Sequence, residues 1–178
     1  MKEEIIIAGF GGQGVLSMGK ILAYSGLMDD KEVTWMPSYG PEQRGGTANV
    51  TVILSDDRIS SPVLDRYDIV IALNQQSLDK FAPKVKAGGI LIYDTNGIHK
   101  HPQRDDIKVY PIDAMEATLE IGNSKAYNMV VMGALLEAMD YKLPMENVIK
   151  GLKKSLPERH HKLIPLNEQA IEKGRSLI

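Results

Sequence analysis

The sequence predicts an α/β fold: one Rossmann-like domain over residues 1–178, with a mostly parallel sheet, helices on both faces and a helical C-terminal third. Three observations support this prediction. Short apolar runs alternate with segments of helical periodicity over the first two thirds of the chain, which is typical of βαβ units. A glycine-rich turn joins the first run to the first helical segment. Beyond residue 125 only helical patterns remain.

The chain opens with a strand candidate and a helix candidate. Residues 4–10, EIIIAGF, form a β-branched run, and Val15, Met18 and Leu22 then recur at helical spacing within residues 13–27. A strand, a glycine turn and a helix in this order begin a βαβ unit.

Five further apolar runs are strand candidates, at residues 32–38, 49–55, 68–74, 89–94 and 107–113. Residues 77–88, SLDKFAPKVKAG, are predicted to be a crossover helix that Pro83 either interrupts or starts. Because helical crossovers connect parallel neighbours, the sheet is expected to be mostly parallel.

Three helices are predicted in the last third, at residues 126–139, 145–156 and 167–178. The first is apolar on nearly every face and follows an Asn-Ser pair that can cap it. Such a helix is buried in its own domain or at a subunit interface, where Met129, Met132 and Met139 would be adaptable packing residues.

Composition restricts the possible functions. The chain has 178 residues, 43% of them hydrophobic, and 21 basic against 23 acidic residues without a long run of either sign, so nucleic acid is not an expected partner. It has no cysteine and therefore no thiolate ligands for an iron–sulfur cluster. No segment approaches the roughly 20 apolar residues of a membrane span, and the first apolar run is too short for a signal peptide. The expected location is the cytoplasm.

The glycine turn fits two kinds of role. Gly9, Gly11 and Gly14 satisfy G-x-G-x-x-G between a strand and a helix, where the first N–H groups of the helix can meet an anion. A nicotinamide enzyme would place an acidic residue at the end of the second strand, but that strand ends in Met-Pro-Ser at residues 36–38. The glycines could otherwise serve only a tight turn and close helix packing.

A second loop motif covers residues 38–50, SYGPEQRGGTANV. Pro41 and the pair Gly45 and Gly46 make it a loop, which places Arg44 at the carboxyl edge of the predicted sheet. A guanidinium there can bind phosphate or carboxylate in bidentate fashion. It could also be solvated or pair with Glu42.

Other polar residues lie at the ends of the predicted strands, on the same edge of the sheet, and each is either a ligand contact or a turn former. They are Asn74, Asp94, Thr95 and Asn96. His160 and His161 have no partner at ligand spacing, so no metal site is expected.

The two loop motifs together carry a family resemblance. IIIAGFGGQGVLSMGKILA, then YGPEQRGG, ISSPVLDRYDIVIALN, GGILIYD and NEQAIEKG resemble the gamma subunit of the 2-oxoacid:ferredoxin oxidoreductases over essentially the whole chain. YGPEQRGG is similar to the 2-oxoglutarate and branched-chain types, whereas the pyruvate types tend to have an arginine pair followed by Gly-Ala-Pro.

The resemblance implies a subunit of an oxidative decarboxylase complex. Thiamine diphosphate, magnesium and [4Fe–4S] clusters are then expected on partner subunits only, with ferredoxin as the electron acceptor of the complex, and the isolated chain is expected to be inactive. Coenzyme A (CoA) would be the co-substrate at this subunit, bound by Gly11, Gly12, Gln13 and Gly14 through backbone and amide donors and by Arg44 through its charge. The substrate is expected to be 2-oxoglutarate. The alternatives are an indolepyruvate or branched-chain 2-oxoacid enzyme subunit, or a free-standing Rossmann-type nucleotide-binding protein.

Overall fold

The computed structural model describes residues 1–40, 46–140 and 142–178. Arg44 lies outside the described residues. The strands of this part are β1 (Lys2–Phe10), β2 (Glu32–Tyr39), β3 (Thr47–Ser55), β4 (Tyr67–Ala72), β5 (Val85–Asp94) and β6 (Lys108–Ile112). The helices are α1 (Val15–Met28), α2 (Gln75–Phe81), α3 (Ala114–Ile121), α4 (Tyr127–Ala138), α5 (Met145–Ser155) and α6 (Ile164–Arg175).

One six-stranded sheet has the order β2-β3-β1-β4-β5-β6. Strands β1, β4, β5 and β6 pair in parallel, which confirms the mostly parallel sheet. Strand β3 is the exception, because it runs antiparallel to both β1 and β2. The segment between β2 and β3 therefore lies at the same edge as the glycine turn after β1, with Phe10 opposite Thr47 and Tyr39 opposite Ala48.

The sheet has a separate apolar core on each face, as the alternation of side chains along a strand requires. Ile5 and Ile7 of β1 pack into the larger core with α1 and α3 to α6. Ile6 and Ala8 face the smaller core, to which α2 contributes Leu78 and Phe81. Helices on both faces, predicted from the sequence, are thus confirmed.

The predicted crossover helix over residues 77–88 is correct only in its first half. Helix α2 ends at Phe81, and Pro83 lies in a 3₁₀ turn, Ala82–Lys84. The remaining residues are part of β5, which begins at Val85 and not at residue 89. Proline lacks an N–H donor and so ends the helix, and the β-branched Val85 is then taken into the sheet opposite Tyr67.

Helix α3 is not predicted from the sequence. It has only eight residues, too few for a clear periodic signal. Both ends of α3 have capping residues of the usual types. The Asp113 carboxylate accepts from the Glu116 N–H at 3.1 Å, and Gly122 ends the helix with φ 78°. This Asp and Gly spacing is the signal that could have revealed the helix.

The three C-terminal helices are confirmed, and α4 is a core helix. Met129, Met132 and Met139 are 2%, 0% and 1% exposed, so they pack inside the chain and the subunit-interface interpretation of these residues is wrong. Helix α6 begins at Ile164, three residues before the prediction, because Pro165 fits the first turn of a helix. Among the described residues no helix has the length and apolar character needed to cross a bilayer. The cytoplasmic location stays a prediction.

Lys86 joins three parallel strands at the amino edge of the sheet. Its ammonium contacts Glu4 of β1 and donates to Asp68 of β4 at 2.8 Å. The Glu4 side chain is 7% exposed. Burial raises the pKa of Glu4, but contacts with Lys2 and Lys86 together hold it below its ordinary value.

We expect Lys86→Met to destabilise the fold by about 2 kcal/mol near pH 7. This is less than the cost of breaking a fully buried pair, because Lys86 is partly exposed. A carboxylate with a lowered pKa contributes stability above its ordinary pKa of 4.5, and this contribution is lost as the pH falls. The difference between parent and variant in urea unfolding should therefore shrink below about pH 4.5. Lys84→Met, which breaks the exposed Lys84–Asp65 pair, should change stability little; equal losses in both variants would contradict this account.

Candidate functional site

The glycine turn crosses from β1 to α1 in a conformation that needs glycine. Gly12 and Gly14 have φ values of 94° and 75°, in the region that side-chain-bearing residues rarely adopt. A Cβ on Gly14 would lie 2.7 Å from Nδ2 of Asn128, the second residue of α4. The turn is therefore held between α1 and the start of α4, and no motif in the sequence pointed to Asn128.

Gln13 holds the turn closed. Its Oε1 accepts from the Phe10 N–H at 2.6 Å, and its Nε2 donates at 3.0 Å to the carbonyl of Leu73, the residue after β4. A Cβ on Gly9 would lie 2.5 Å from this Oε1, so the missing side chain at Gly9 leaves room for Gln13 to fold over the strand. The Gln13 amide, expected from the sequence to be a ligand donor, binds within the chain and positions the loop.

The two loop motifs meet directly. The N–H of Gly11 donates to the carbonyl of Gly46 at 2.9 Å. This hydrogen bond ties the glycine turn to the last residue of the YGPEQRGG segment. The N–H of Gly11 therefore already has an acceptor within the chain. Arg44 lies two residues before Gly46 in the sequence.

Several N–H groups of the turn have no acceptor in the part of the chain that the structure describes. Within the described ranges, no hydrogen bond is made by the backbone N–H groups of Gly12, Gly14, Val15, Leu16 and Ser17. No described side chain caps α1, and the first turn of α1 has no acidic residue. No described group thus compensates the positive end of the helix dipole, which favours an anion at this position.

These groups border an open cleft of about 540 Å³ at the carboxyl edge of the sheet. This volume lies within the range of small-molecule sites. Besides the turn and the start of α1, the cleft is lined by Phe10, Tyr39, Gly46, Thr47 and Ala48. None of the described lining residues is acidic, so the described lining offers no ribose-binding carboxylate of the nicotinamide type.

The polar residues after β4 and β5 mainly form turns and caps. Oδ1 of Asn74 accepts from the Ser77 N–H at 2.7 Å and caps α2. The Asn96 N–H donates to Asp94 at 3.2 Å, and Thr95 Oγ1 donates to the Ile112 carbonyl at 3.3 Å. The hydrogen bonds of these residues are therefore those expected if they form turns and caps.

Asp94 also forms a buried pair with α4. The Tyr127 hydroxyl donates to its Oδ2 at 2.6 Å. Burial raises the pKa of the Asp94 carboxyl, and the hydrogen bond from Tyr127 opposes that shift. The pair anchors the start of α4 beside the glycine turn.

The histidine pair forms no metal site among the described residues. Nε2 of His161 lies 3.0 Å from the carbonyl oxygens of Lys153 and Leu156. In the described ranges, no three His, Asp or Glu residues are grouped as metal ligands would be.

Comparison with known proteins places these features in a family. Residues 4–177 match the family described as pyruvate ferredoxin/flavodoxin oxidoreductase. Ketoisovalerate oxidoreductase subunit VorA of Methanothermobacter marburgensis is 37% identical over 96% of this chain, which spans only 35% of VorA. 2-Oxoglutarate synthase subunit KorC of the same organism is 34% identical, and the match covers 100% of this chain and 97% of KorC.

Two solved structures share the fold. The gamma subunit of a keto/oxoacid ferredoxin oxidoreductase from Geobacter sulfurreducens has a TM-score of 0.84 and 28% identity, over 99% of this chain and 95% of that one. A 2-oxoglutarate:ferredoxin oxidoreductase from Magnetococcus marinus, with 2-oxoglutarate, coenzyme A and succinyl-CoA bound, has a TM-score of 0.87 and 25% identity. The match covers 99% of this chain and 31% of the Magnetococcus chain.

Proposed function

Because the chain belongs to the pyruvate ferredoxin/flavodoxin oxidoreductase family, we propose that it is the gamma subunit of a 2-oxoacid:ferredoxin oxidoreductase whose glycine-turn cleft helps to bind CoA. The observation that carries the CoA role is the row of N–H groups at the start of α1 that have no acceptor among the described residues. CoA carries a diphosphate and a 3′-phosphate, and phosphate groups suit a helix N-terminus.

Each predicted site residue has a place in this proposal. The backbones of Gly12 and Gly14 donate to phosphate oxygens, while Gly11 and Gln13 hold the turn through Gly46 and Leu73. Arg44, which lies outside the described residues, is proposed to add positive charge, because it precedes Gly46 of the cleft by only two residues in the chain. A relative with CoA bound supports this choice of ligand.

The remaining chemistry belongs to partner subunits. The chain has no cysteine, so the [4Fe–4S] clusters are proposed to lie on partners together with thiamine diphosphate and magnesium, and ferredoxin receives electrons through the complex. We propose 2-oxoglutarate as the substrate, because KorC matches this chain over nearly its whole length. The identity with VorA makes a branched-chain 2-oxoacid the second candidate.

We expect the isolated chain to be colourless and to show no 2-oxoacid-dependent reduction of a viologen dye. CoA-dependent activity should appear only when it is mixed with its partner subunits. The partner subunits without this chain are the control and should form no acyl-CoA. Turnover by the isolated chain, or full activity of the partners alone, would refute the subunit role.

A further inference from the structure

The connection between β5 and β6 contains no helix. Parallel strands are usually joined through a helix, but residues 95–107, the β5–β6 loop, have no regular secondary structure. Ile98 and Ile107 of this loop pack in the smaller core, so the loop covers part of the sheet in place of a helix. A connection of this length without helix or strand is uncommon in a compact domain and is often functional.

Two polar side chains hold the backbone of the β5–β6 loop. Oε1 of Gln75 in α2 accepts from the N–H groups of His99 and Lys100, at 2.8 and 2.9 Å. Nε2 of Gln75 donates to the Lys100 carbonyl at 2.9 Å. At the other end of the loop, Arg104 donates to the carbonyl of Ala82, in the 3₁₀ turn after α2, at 3.1 Å. The loop is therefore ordered without a ligand, which lowers the entropic cost of binding one.

A buried tyrosine orients one exposed histidine of the loop. The hydroxyl of Tyr93 in β5 lies 2.7 Å from Nδ1 of His101, and Tyr93 is only 4% exposed. The contact satisfies the buried hydroxyl and holds the imidazole ring in one orientation. Among the described residues, Nε2 of the same ring has no hydrogen-bond partner. The ring can therefore bind a partner through Nε2.

The loop and α2 border a groove of about 950 Å³, the α2 groove. Leu78, Ala82 and Pro83 form its apolar floor, and loop residues 99–104 form the opposite side. No described residue lines both this groove and the glycine-turn cleft. The two are therefore separate sites.

The α2 groove has more free donors than acceptors. Lys100 is exposed, and neither its ammonium nor the His99 ring has a partner within the described ranges. The guanidinium of Arg104 pairs with Asp106. Asp79 is the one carboxylate among the described lining residues, and it already accepts a hydrogen bond within α2, at 2.9 Å. The unsatisfied groups beside the apolar floor are thus those that bind carboxylates.

We propose that the α2 groove docks an acidic segment of a partner subunit, whose carboxylates meet Lys100, His99 and His101 while an apolar residue lies on the floor. The inference rests on the proposed function, because it requires that the chain works in a complex. An apolar centre with a polar rim is the usual anatomy of an interface, and charge complementarity selects an acidic partner. In VorA the matched region is joined to a much longer polypeptide, so a related domain exists beside further protein.

The first test is cross-linking with a carbodiimide, which joins a lysine amine directly to a carboxylate in contact with it. In the reconstituted complex, mass spectrometry should find Lys100 linked to an aspartate or glutamate of a partner subunit. Lys154 of α5 is also exposed but does not line the groove, and it should not be linked to that segment. The inference is overturned if Lys100 is unlinked, or is linked only to this chain, to a second copy of it or to ferredoxin.

The second test measures how fast variants associate with the partner subunits. Lys100→Glu should lower the association rate constant about tenfold at low salt, because charges at an interface rim act mainly on association. The difference should shrink at about 1 M salt, where screening is strong. Lys100→Arg keeps the charge and should associate like the parent. Lys154→Glu makes the same change of net charge away from the groove and should have little effect.

The docking inference and the proposed function fail in different ways. If Lys100→Glu and Lys154→Glu slow association equally, net charge explains the effect and the groove docks nothing. If Lys100→Glu associates like the parent and its complex forms acyl-CoA, the docking inference is wrong and the gamma-subunit role stands. If the parent chain neither associates with the partner subunits nor restores their activity, both fail.

Discussion

Gly174→Ala is expected to destabilise the chain by roughly 3 kcal/mol or more, the upper range for overpacked cores. Helices α4 and α6 cross at this residue. A Cβ on Gly174 would lie 1.8 Å from the Val130 carbonyl oxygen, and a Cβ on Gly133 of α4 would lie 1.9 Å from that of Ile171. Both obstacles are backbone atoms, so the helices would have to separate to admit a methyl group.

The expected change in stability has the opposite sign to the change that helix propensity alone predicts. Alanine in place of glycine inside a helix is normally favourable by about 1 kcal/mol. Thermal unfolding by circular dichroism should instead show a fall in Tm of roughly 10 °C. Gly40→Ala is the control, because among the described atoms a Cβ there would meet only the Thr47 carbonyl oxygen, at 4.0 Å, and its Tm should match the parent. An unchanged or higher Tm for Gly174→Ala would refute the close helix contact.

Gly12→Asp is expected to raise the KM for CoA of the reconstituted complex by at least about tenfold. A carboxylate there would lie beside the N–H groups proposed to bind the diphosphate and would repel it at short range. Loss of a charge-assisted hydrogen bond alone costs roughly 1.5–3 kcal/mol, and tenfold corresponds to about 1.4 kcal/mol. Decarboxylation of the 2-oxoacid without CoA should be nearly unchanged.

Gly12→Asn separates charge from backbone strain. Gly12 has φ 94°, and a Cβ on it would have no described atom within 4 Å, so Asn and Asp place similar bulk at a similarly strained position. Asn should raise the KM for CoA much less than Asp. Arg44→Ala should raise the same KM if Arg44 supplies charge to the site. If the Gly12→Asp complex and the parent complex give the same CoA titration, the turn is only structural. If Gly12→Asp abolishes both decarboxylation and acyl transfer to CoA, the turn lies at the subunit interface.

Much of the fold can be predicted from local sequence. All six strands and the glycine turn follow from apolar runs and turn residues within a few positions of one another. Residues 85–88 and helix α3 could not be assigned in this way. Val85–Gly88 follow a proline-interrupted helix without a period of their own, and α3 is shorter than the window that its periodicity requires.

The candidate site was predictable in position but only partly in its contacts. The glycine motif marks the N-terminus of α1, and its unpaired N–H groups follow from helix geometry. The role of Gln13 depends on Leu73, which is 60 residues away in the chain. The contact between Gly14 and Asn128 depends on how α4 packs, and neither contact has a local signal.

The sequence by itself determined the approximate positions of the six described strands, of every described α-helix except α3 and of the glycine turn proposed to bind an anion, and that no cysteine can ligate a cluster in this chain. The tertiary structure decided that β3 inserts antiparallel between β2 and β1, and thereby that Tyr39 shares a cleft with the glycine turn. The physical reason is the distance along the chain over which each effect acts. Backbone propensity and side-chain periodicity act over a few residues, whereas strand order is set by burying both faces of the whole sheet at once.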